Sequence, residues 1–128
     1  EKAVNAFSKA IDLKPRNGHY YWHRGQMKEN ENKFEEAISD YTKALELDNS
    51  YQHLISLART FQKLGNYDKA IEFACRAIKM DAGEGAGFYW SGKAYQQKGD
   101  EKASMKDFNT AKSLDFDEKD SENSEEDY

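Results

Sequence analysis

Apolar residues fall on a helical stripe that recurs along the chain. Phe34, Ala37, Ile38, Tyr41, Ala44 and Leu45 are spaced 3, 1, 3, 3 and 1 residues apart. Tyr67, Ala70, Ile71, Ala74, Ala77 and Ile78 reproduce that spacing, and Ala3, Val4, Phe7, Ala10 and Ile11 match its later part. Each set is one face of an amphipathic helix. Shorter stripes lie between them: Tyr21, Arg24, Gly25; Leu54, Leu57, Ala58, Phe61; and Phe88, Ser91, Gly92, Tyr95. Polar breaks separate the stripes. Pro15 and Asn17-Gly18 end the first, Gly65-Asn66 and Gly99-Asp100 divide later pairs, and Asn32 stands at the matching place in an earlier one. The pattern predicts seven helices, at about 1–14, 18–31, 34–47, 51–64, 67–80, 85–98 and 101–114.

The small residues carry a longer period. Ala3, Ala37, Ala70 and Ser104 step by 34, 33 and 34 residues, as do Ala10, Ala44, Ala77 and Ala111. A third series, Gly25, Ala58 and Gly92, steps by 33 and 34. Self-similarity at this period means one supersecondary unit stacked on copies of itself. A small side chain at a crossing point lets two helices approach closely. On this reading Gly25 faces Ala37, Ala58 faces Ala70 and Gly92 faces Ser104. Ala10, Ala44 and Ala77 then sit where the next unit's first helix packs.

These residues resemble the tetratricopeptide repeat, a helix–turn–helix unit of 34 residues. The family pattern reads Tyr21, Arg24, Gly25, Lys28, Ala37, Tyr41, Ala44 and Asn49 in one unit. It reads Leu54, Leu57, Ala58, Phe61, Ala70, Ala74, Ala77 and Ala82 in the next, and Phe88, Ser91, Gly92, Tyr95, Ser104, Phe108, Ala111 and Phe116 in the third. Lys28 departs from the pattern's aromatic, and Asn49, Ala82 and Phe116 from its proline. The resemblance implies an all-α superhelical solenoid of about 3.5 units. Residues 1–17 are a half repeat, 18–50, 51–84 and 85–116 are full units, and 117–128 are an acidic tail. It also implies a non-catalytic protein–protein interaction scaffold whose first helices line a concave groove for a peptide or partner helix.

By helical phase the groove residues expected to meet a partner are Trp22, His23, Gln26, Ser56, Arg59, Tyr89, Trp90 and Lys93. Trp22 and Trp90 are the expected anchors on a face left free of the core. One subset of the family binds acidic C-termini of heat-shock chaperones through lysines, asparagines and an arginine. The matching places here hold Trp22, Gln26, Ser56, Ala86 and Trp90, so that carboxylate clamp is not expected.

Composition narrows the alternatives. Net charge is −5, and residues 115–128 hold eight acids against one lysine. The other 114 residues therefore carry +2. That body has no strongly basic field for phosphates. A helical-repeat RNA binder would need cations stacked along the groove; Arg59 and Lys93 align, but Gln26 interrupts them. The 17 aromatics argue against disorder in the body. Cys75 is the only cysteine, which excludes an internal disulfide and a multi-thiolate zinc site. No apolar run has the length of a membrane span, and no signal peptide is visible. The chain reads as a cytoplasmic segment of a longer protein that begins inside a repeat.

Little points to chemistry. His19 and His23 share a helix face and are the residues a small metal-binding protein would use. They lack an H-E-x-x-H context, and neither a metal nor any other cofactor is expected. Gly83, Gly85 and Gly87 read as a flexible hinge, since no strand or lysine marks a phosphate loop. The tail reads as solubilising, and Ser124 before three acids resembles a site for acid-directed kinases. Among the groove positions Arg59, Lys63 and Lys93 outweigh Glu29, which suits an acidic ligand with an apolar anchor. Residues 115–128, ending in Tyr128, supply such a segment in the same chain. Val4, Phe7 and Ile11 at one end, and Met105 and Phe108 at the other, are candidates for self-association through uncapped repeats.

Overall fold

A computed structural model describes residues 2–114 and 116. It contains α1 (Lys2–Leu13), α2 (Gly18–Asn30), α3 (Phe34–Leu47), α4 (Tyr51–Leu64), α5 (Tyr67–Met80), α6 (Gly85–Lys98) and α7 (Glu101–Ser113), with no strand among the described residues. Each helix packs on its neighbours in sequence: α2 on α3, α4 on α5 and α6 on α7 within units, and α1 on α2, α3 on α4 and α5 on α6 between them. In addition α4 touches α6, so first helices of successive units lie side by side.

The turns within units share one construction. Asn32, Gly65 and Gly99 adopt φ of 63°, 88° and 87°. The left-handed residue lets the next N–H reach back to a carbonyl of the last helical turn. Asn66 N–H donates to Phe61 O at 2.9 Å, Asp100 N–H to Tyr95 O at 2.9 Å, and Lys33 N–H to Lys28 O at 2.8 Å. The following helices start on side-chain caps where the sequence offers them. Asn66 Oδ1 accepts from Lys69 N–H at 3.3 Å and Asp100 Oδ1 from Ala103 N–H at 3.1 Å. Asn17 and Ser50 cap α2 and α4 in the same way.

The small residues do sit at close approaches, with partners that differ in part from the expected ones. A Cβ on Gly25 would stand 2.8 Å from the Tyr41 ring and 3.3 Å from the Ala37 carbonyl. One on Gly92 would stand 2.9 Å from the Phe108 ring, so Phe108 rather than Ser104 closes that crossing. Gly18 lies against Ala44 of its own unit, and Gly85 against Ala111 of its own unit. Ala44 therefore lines the hairpin within its unit. The step from the second unit to the third includes Gly87, where a Cβ would meet Ile78 at 2.8 Å and the Ala74 carbonyl at 3.3 Å.

This corrects the reading of the glycine-rich stretch as a hinge. Gly85 and Gly87 are buried in the first turn of α6, held between Phe116 on one side and α5 on the other. Glycine is needed there for close packing, not for mobility. Phe116, three residues beyond the end of α7, folds back so that its N–H reaches Ala111 O at 3.1 Å and its ring meets Tyr89.

The core runs along the helix pairs. Ala37, Tyr41, Ala44, Leu57, Ala58, Ala70, Ala74, Ala77 and Ala94 have no exposed surface. At the ends, Ile11 is only 7% exposed, so it does not form the open apolar end expected of it, whereas Met105 is 63% exposed. The acidic segment 117–128, with Ser124 and Tyr128, lies outside the described residues.

Candidate partner-binding site

The first helices α2 and α4 are joined directly by side chains, without their second helices between them. Ser56 stands one position beyond the place in the next first helix that matches Trp22. The Trp22 indole N–H donates to Ser56 Oγ at 2.9 Å, and the Ser56 hydroxyl donates to Gln52 O at 3.0 Å. This fixes the Trp22 ring while leaving it partly exposed. His23, one residue on, lies flat on Phe7 of α1, with centroids 5.3 Å apart and planes 11° apart. It meets Trp22 edge-on at 4.9 Å and His19 edge-on at 4.2 Å. His53 stands 6.3 Å from Trp22. Three of the site's aromatic rings thus come from α2, one from α1 and one from α4.

Burial, and next the neighbouring His19, lower the His23 pKa from its ordinary 6.5. Burial also lowers that of His53, although Asp48 opposes it. Both rings are therefore neutral at pH 7. His53 Nδ1 is buried and has no hydrogen-bond partner among the described residues.

Further along the same face stands Glu29, counted from the sequence among the charges lining the groove. Glu29 is 4% exposed. Its Oε2 accepts from Arg59 Nε at 2.7 Å and Lys63 Nζ at 3.0 Å; its Oε1 accepts from Arg59 Nη2 at 2.8 Å and the Tyr41 hydroxyl at 2.6 Å. Burial alone would push this carboxyl up. The fork of Arg59, with Lys63 and Tyr41, outweighs burial and holds it at about 2. The same network pushes Tyr41 far above the ordinary phenol range, burial first and the Glu29 charge next. The signal for it in the sequence is that Arg59 and Lys63 flank, on the next first helix, the place that matches Glu29, 30 and 34 residues along.

The eight expected groove residues do not form one surface. Trp22, His23 and Gln26 are partly exposed beside the buried Ser56. Arg59 is tied to Glu29, across from α2. Tyr89 and Trp90 are each 7% exposed, within a core cluster that includes Ala58, Ala74 and Ala111. Their rings meet at 5.1 Å, and Tyr89 also meets Phe108 and Phe116. The expectation that Trp90 stands on a face free of the core does not hold. The glycines of α6 and the alanines of this cluster let α5 and α7 close in, and Phe116 packs against the cluster. Lys93 keeps its ammonium over the Tyr89 ring at 5.6 Å.

On the other side of the first unit, Arg24 takes Asp40 with both prongs, at 2.9 and 2.7 Å, and reaches Ser8 Oγ at 3.0 Å. Lys28 lies 3.3 Å from Asp40. These charges stand where the second unit places Leu57, Phe61 and Phe73, so this is a packing device in polar form. Among the described residues no group of three or more His, Cys, Asp or Glu is placed to hold a metal ion, and no helix is long and apolar enough to cross a membrane.

A family model described as tetratricopeptide repeat matches residues 18–51, 54–84 and 86–118. No curated protein matches the chain. A crystal structure of MamA superposes with a TM-score of 0.83 at 22% identity, over 88% of this chain and 66% of that one. A MamA RS-1 ArsTM double mutant gives 0.82 at 18% identity, over 89% and 65%. At these identities the likeness is one of fold, and the chain spans just under two thirds of those MamA chains. The second TPR of Spaghetti (RPAP3), solved bound to the HSP90 peptide SRMEEVD, gives 0.73 at 25% identity, over 77% of this chain and 92% of that one.

Proposed function

The chain belongs to the tetratricopeptide repeat family, and on that premise we propose that it holds a peptide or a partner helix against the face formed by α2, α4 and α6. It acts as a non-catalytic interaction scaffold. The observation that carries this reading is the Trp22–His23 platform. Its rings are oriented by Ser56 and Phe7 yet remain partly exposed, which is how an aromatic anchor point is prepared at low entropy cost.

The ligand chemistry that fits is acidic with an apolar or aromatic anchor. Arg59 and Lys63 bring two positive charges to the single charge of Glu29, and Lys93 adds another further along. The structural relative from Spaghetti supports an acidic peptide as the ligand class. This chain lacks the clamp residues at the matching places, so the platform, not a terminal-carboxylate clamp, provides the specificity here. The chain's own acidic segment, 117–128, has the same chemistry and is one candidate occupant. Met105 and the outer face of α7 offer a separate surface for self-association.

Selection from a displayed dodecapeptide library on the intact chain tests the reading. Recovered peptides are expected to be acidic with one large apolar residue, to bind more weakly as salt rises, and to lose affinity in Trp22→Ala. Peptides that bind Trp22→Ala equally well would exclude the platform as the site.

A further inference from the structure

We propose that the cleft beside the loop between α1 and α2 reads the ligand's charge: Lys14 and Arg16 take the carboxylate side chains of a peptide whose apolar residue sits on the Trp22–His23 platform. This rests on the peptide reading above and adds where the acids go. The cleft holds about 660 Å³ and is lined chiefly by Lys14, Pro15, Arg16, His19, Leu47 and Asp48. Lys14 and Arg16 are exposed, and neither makes an ion pair among the described residues. Arg59 and Lys63, by contrast, both hold Glu29, and Lys93 lies over Tyr89. The cations with no acid of their own are therefore those of the loop. Within the cleft they outnumber Asp48, the one acid of its lining.

These two cations are not part of the stacking pattern. The loop between α3 and α4 has Asp48, Asn49 and Ser50 at the corresponding places, and the loop between α5 and α6 has Asp81, Ala82, Gly83 and Glu84. A feature that every step of the array required would recur at each step. A basic loop at one step only is free to serve recognition. Its shape is held in advance. Pro15 fixes its own φ, Lys14 N–H donates to Ala10 O at 2.9 Å, and Asn17 N–H donates to Lys14 O at 3.2 Å. Gly18 seats the loop on α3, where a Cβ would stand 3.1 Å from the Ala44 carbonyl and 3.4 Å from Leu47. Asn17 Oδ1 already accepts from His19 N–H, so the side-chain charges, not an open helix end, meet the ligand.

His19 joins the cleft to the platform. It lines the cleft, its Nε2 lies 2.7 Å from that of His23, and its ring lies nearly parallel to Trp22 at 6.1 Å. An extended peptide advances about 3.3 Å per residue, so an acid about two to four positions from the anchor passes His19 and reaches the two cations. Leu47 and Pro15 give its stem an apolar wall. The separation between anchor and acid is thus part of what is recognised.

The probe is an N-acetylated, C-amidated peptide with one phenylalanine and two adjacent glutamates about three positions from it; a counterpart carries glutamines instead. Binding to the intact chain at low salt is followed by tryptophan emission and backbone amide shifts. Lys14→Gln/Arg16→Gln should weaken the glutamate peptide about tenfold, as two exposed charge pairs allow. The glutamine peptide should bind the parent about as weakly. Asp48→Asn should strengthen the glutamate peptide, and Lys102→Gln/Lys106→Gln, an exposed pair on α7, should leave it nearly unchanged. The amides of Arg16, Asn17 and Gly18 should shift with the glutamate peptide and not with its counterpart. Two results would overturn the cleft's role while Trp22→Ala still weakens binding and the platform stands: a loop double variant indistinguishable from the parent, or an equal loss in the α7 pair. If the glutamate peptide does not bind, or binds Trp22→Ala as well as the parent, the peptide reading falls and the cleft's role falls with it.

Discussion

Replacing Glu29 by glutamine keeps its shape and its contact with Tyr41 but removes the charge that Arg59 and Lys63 surround. Lowering this carboxyl from 4.5 to about 2 corresponds to about 3 kcal/mol of folding free energy at neutral pH. The range for losing one partner of a buried ion pair, about 3–5 kcal/mol, includes that value. Lys63, at 30% side-chain exposure, can turn to water and relieve part of the loss, so about 3 kcal/mol is expected for Glu29→Gln. For an array of this length that is a fall in Tm of roughly 10 °C, read by circular dichroism at pH 7. The pH dependence has a definite sign. The folded pKa is depressed, so the contribution is complete above 4.5 and is lost as pH falls toward about 2. The variant should lack that acid-sensitive component. In the double variant Glu29→Gln/Arg59→Met the cation is no longer stranded, and the loss should be no greater than for Glu29→Gln alone. A single variant within about 0.5 kcal/mol of the parent, or strict additivity in the double variant, would refute the argument.

Gly25→Leu should destabilise by about 1–3 kcal/mol, because its side chain must enter the space of the Tyr41 ring; urea denaturation measures this. Gly87→Ala should also destabilise, since Ile78 and α5 block its Cβ, whereas a hinge glycine would tolerate alanine. Trp90→Ala should cost about 3–5 kcal/mol as a core truncation, read by thermal melting, so it cannot serve as a clean binding control. His53→Phe should weaken the loss of stability as pH falls below 6.5. The buried neutral ring of His53 resists protonation, and its contribution is present above 6.5 and declines below it.

The architecture was legible because stacking uses every repeat in the same way. Six of the seven helices begin at their predicted residue, and Asn32 takes the left-handed turn that glycine takes elsewhere. The site was less legible because helical phase says which way a residue points, not how much of it neighbours cover. Trp22 and Trp90 are at nearly matching places, yet Trp22 stays partly exposed and Trp90 is buried in a core cluster with Ala58, Ala74, Tyr89 and Ala111. Glu29 read as a groove charge open to a ligand. Its burial depends on Tyr41, 12 residues away on α3, which supplies a hydroxyl where the next unit has Ala74. The glycine-rich stretch misled because glycine serves both mobility and close approach, and only the position of α5 and Phe116 distinguishes them.

Backbone amide shifts, followed on titration with a selected acidic peptide, locate the face that holds the ligand. The account predicts that the largest changes fall on α2 and α4 around Trp22, His23 and Ser56, with smaller ones near Lys93 on α6. Changes confined to α3, α5 and α7 would contradict it and place the interaction surface on the second helices instead.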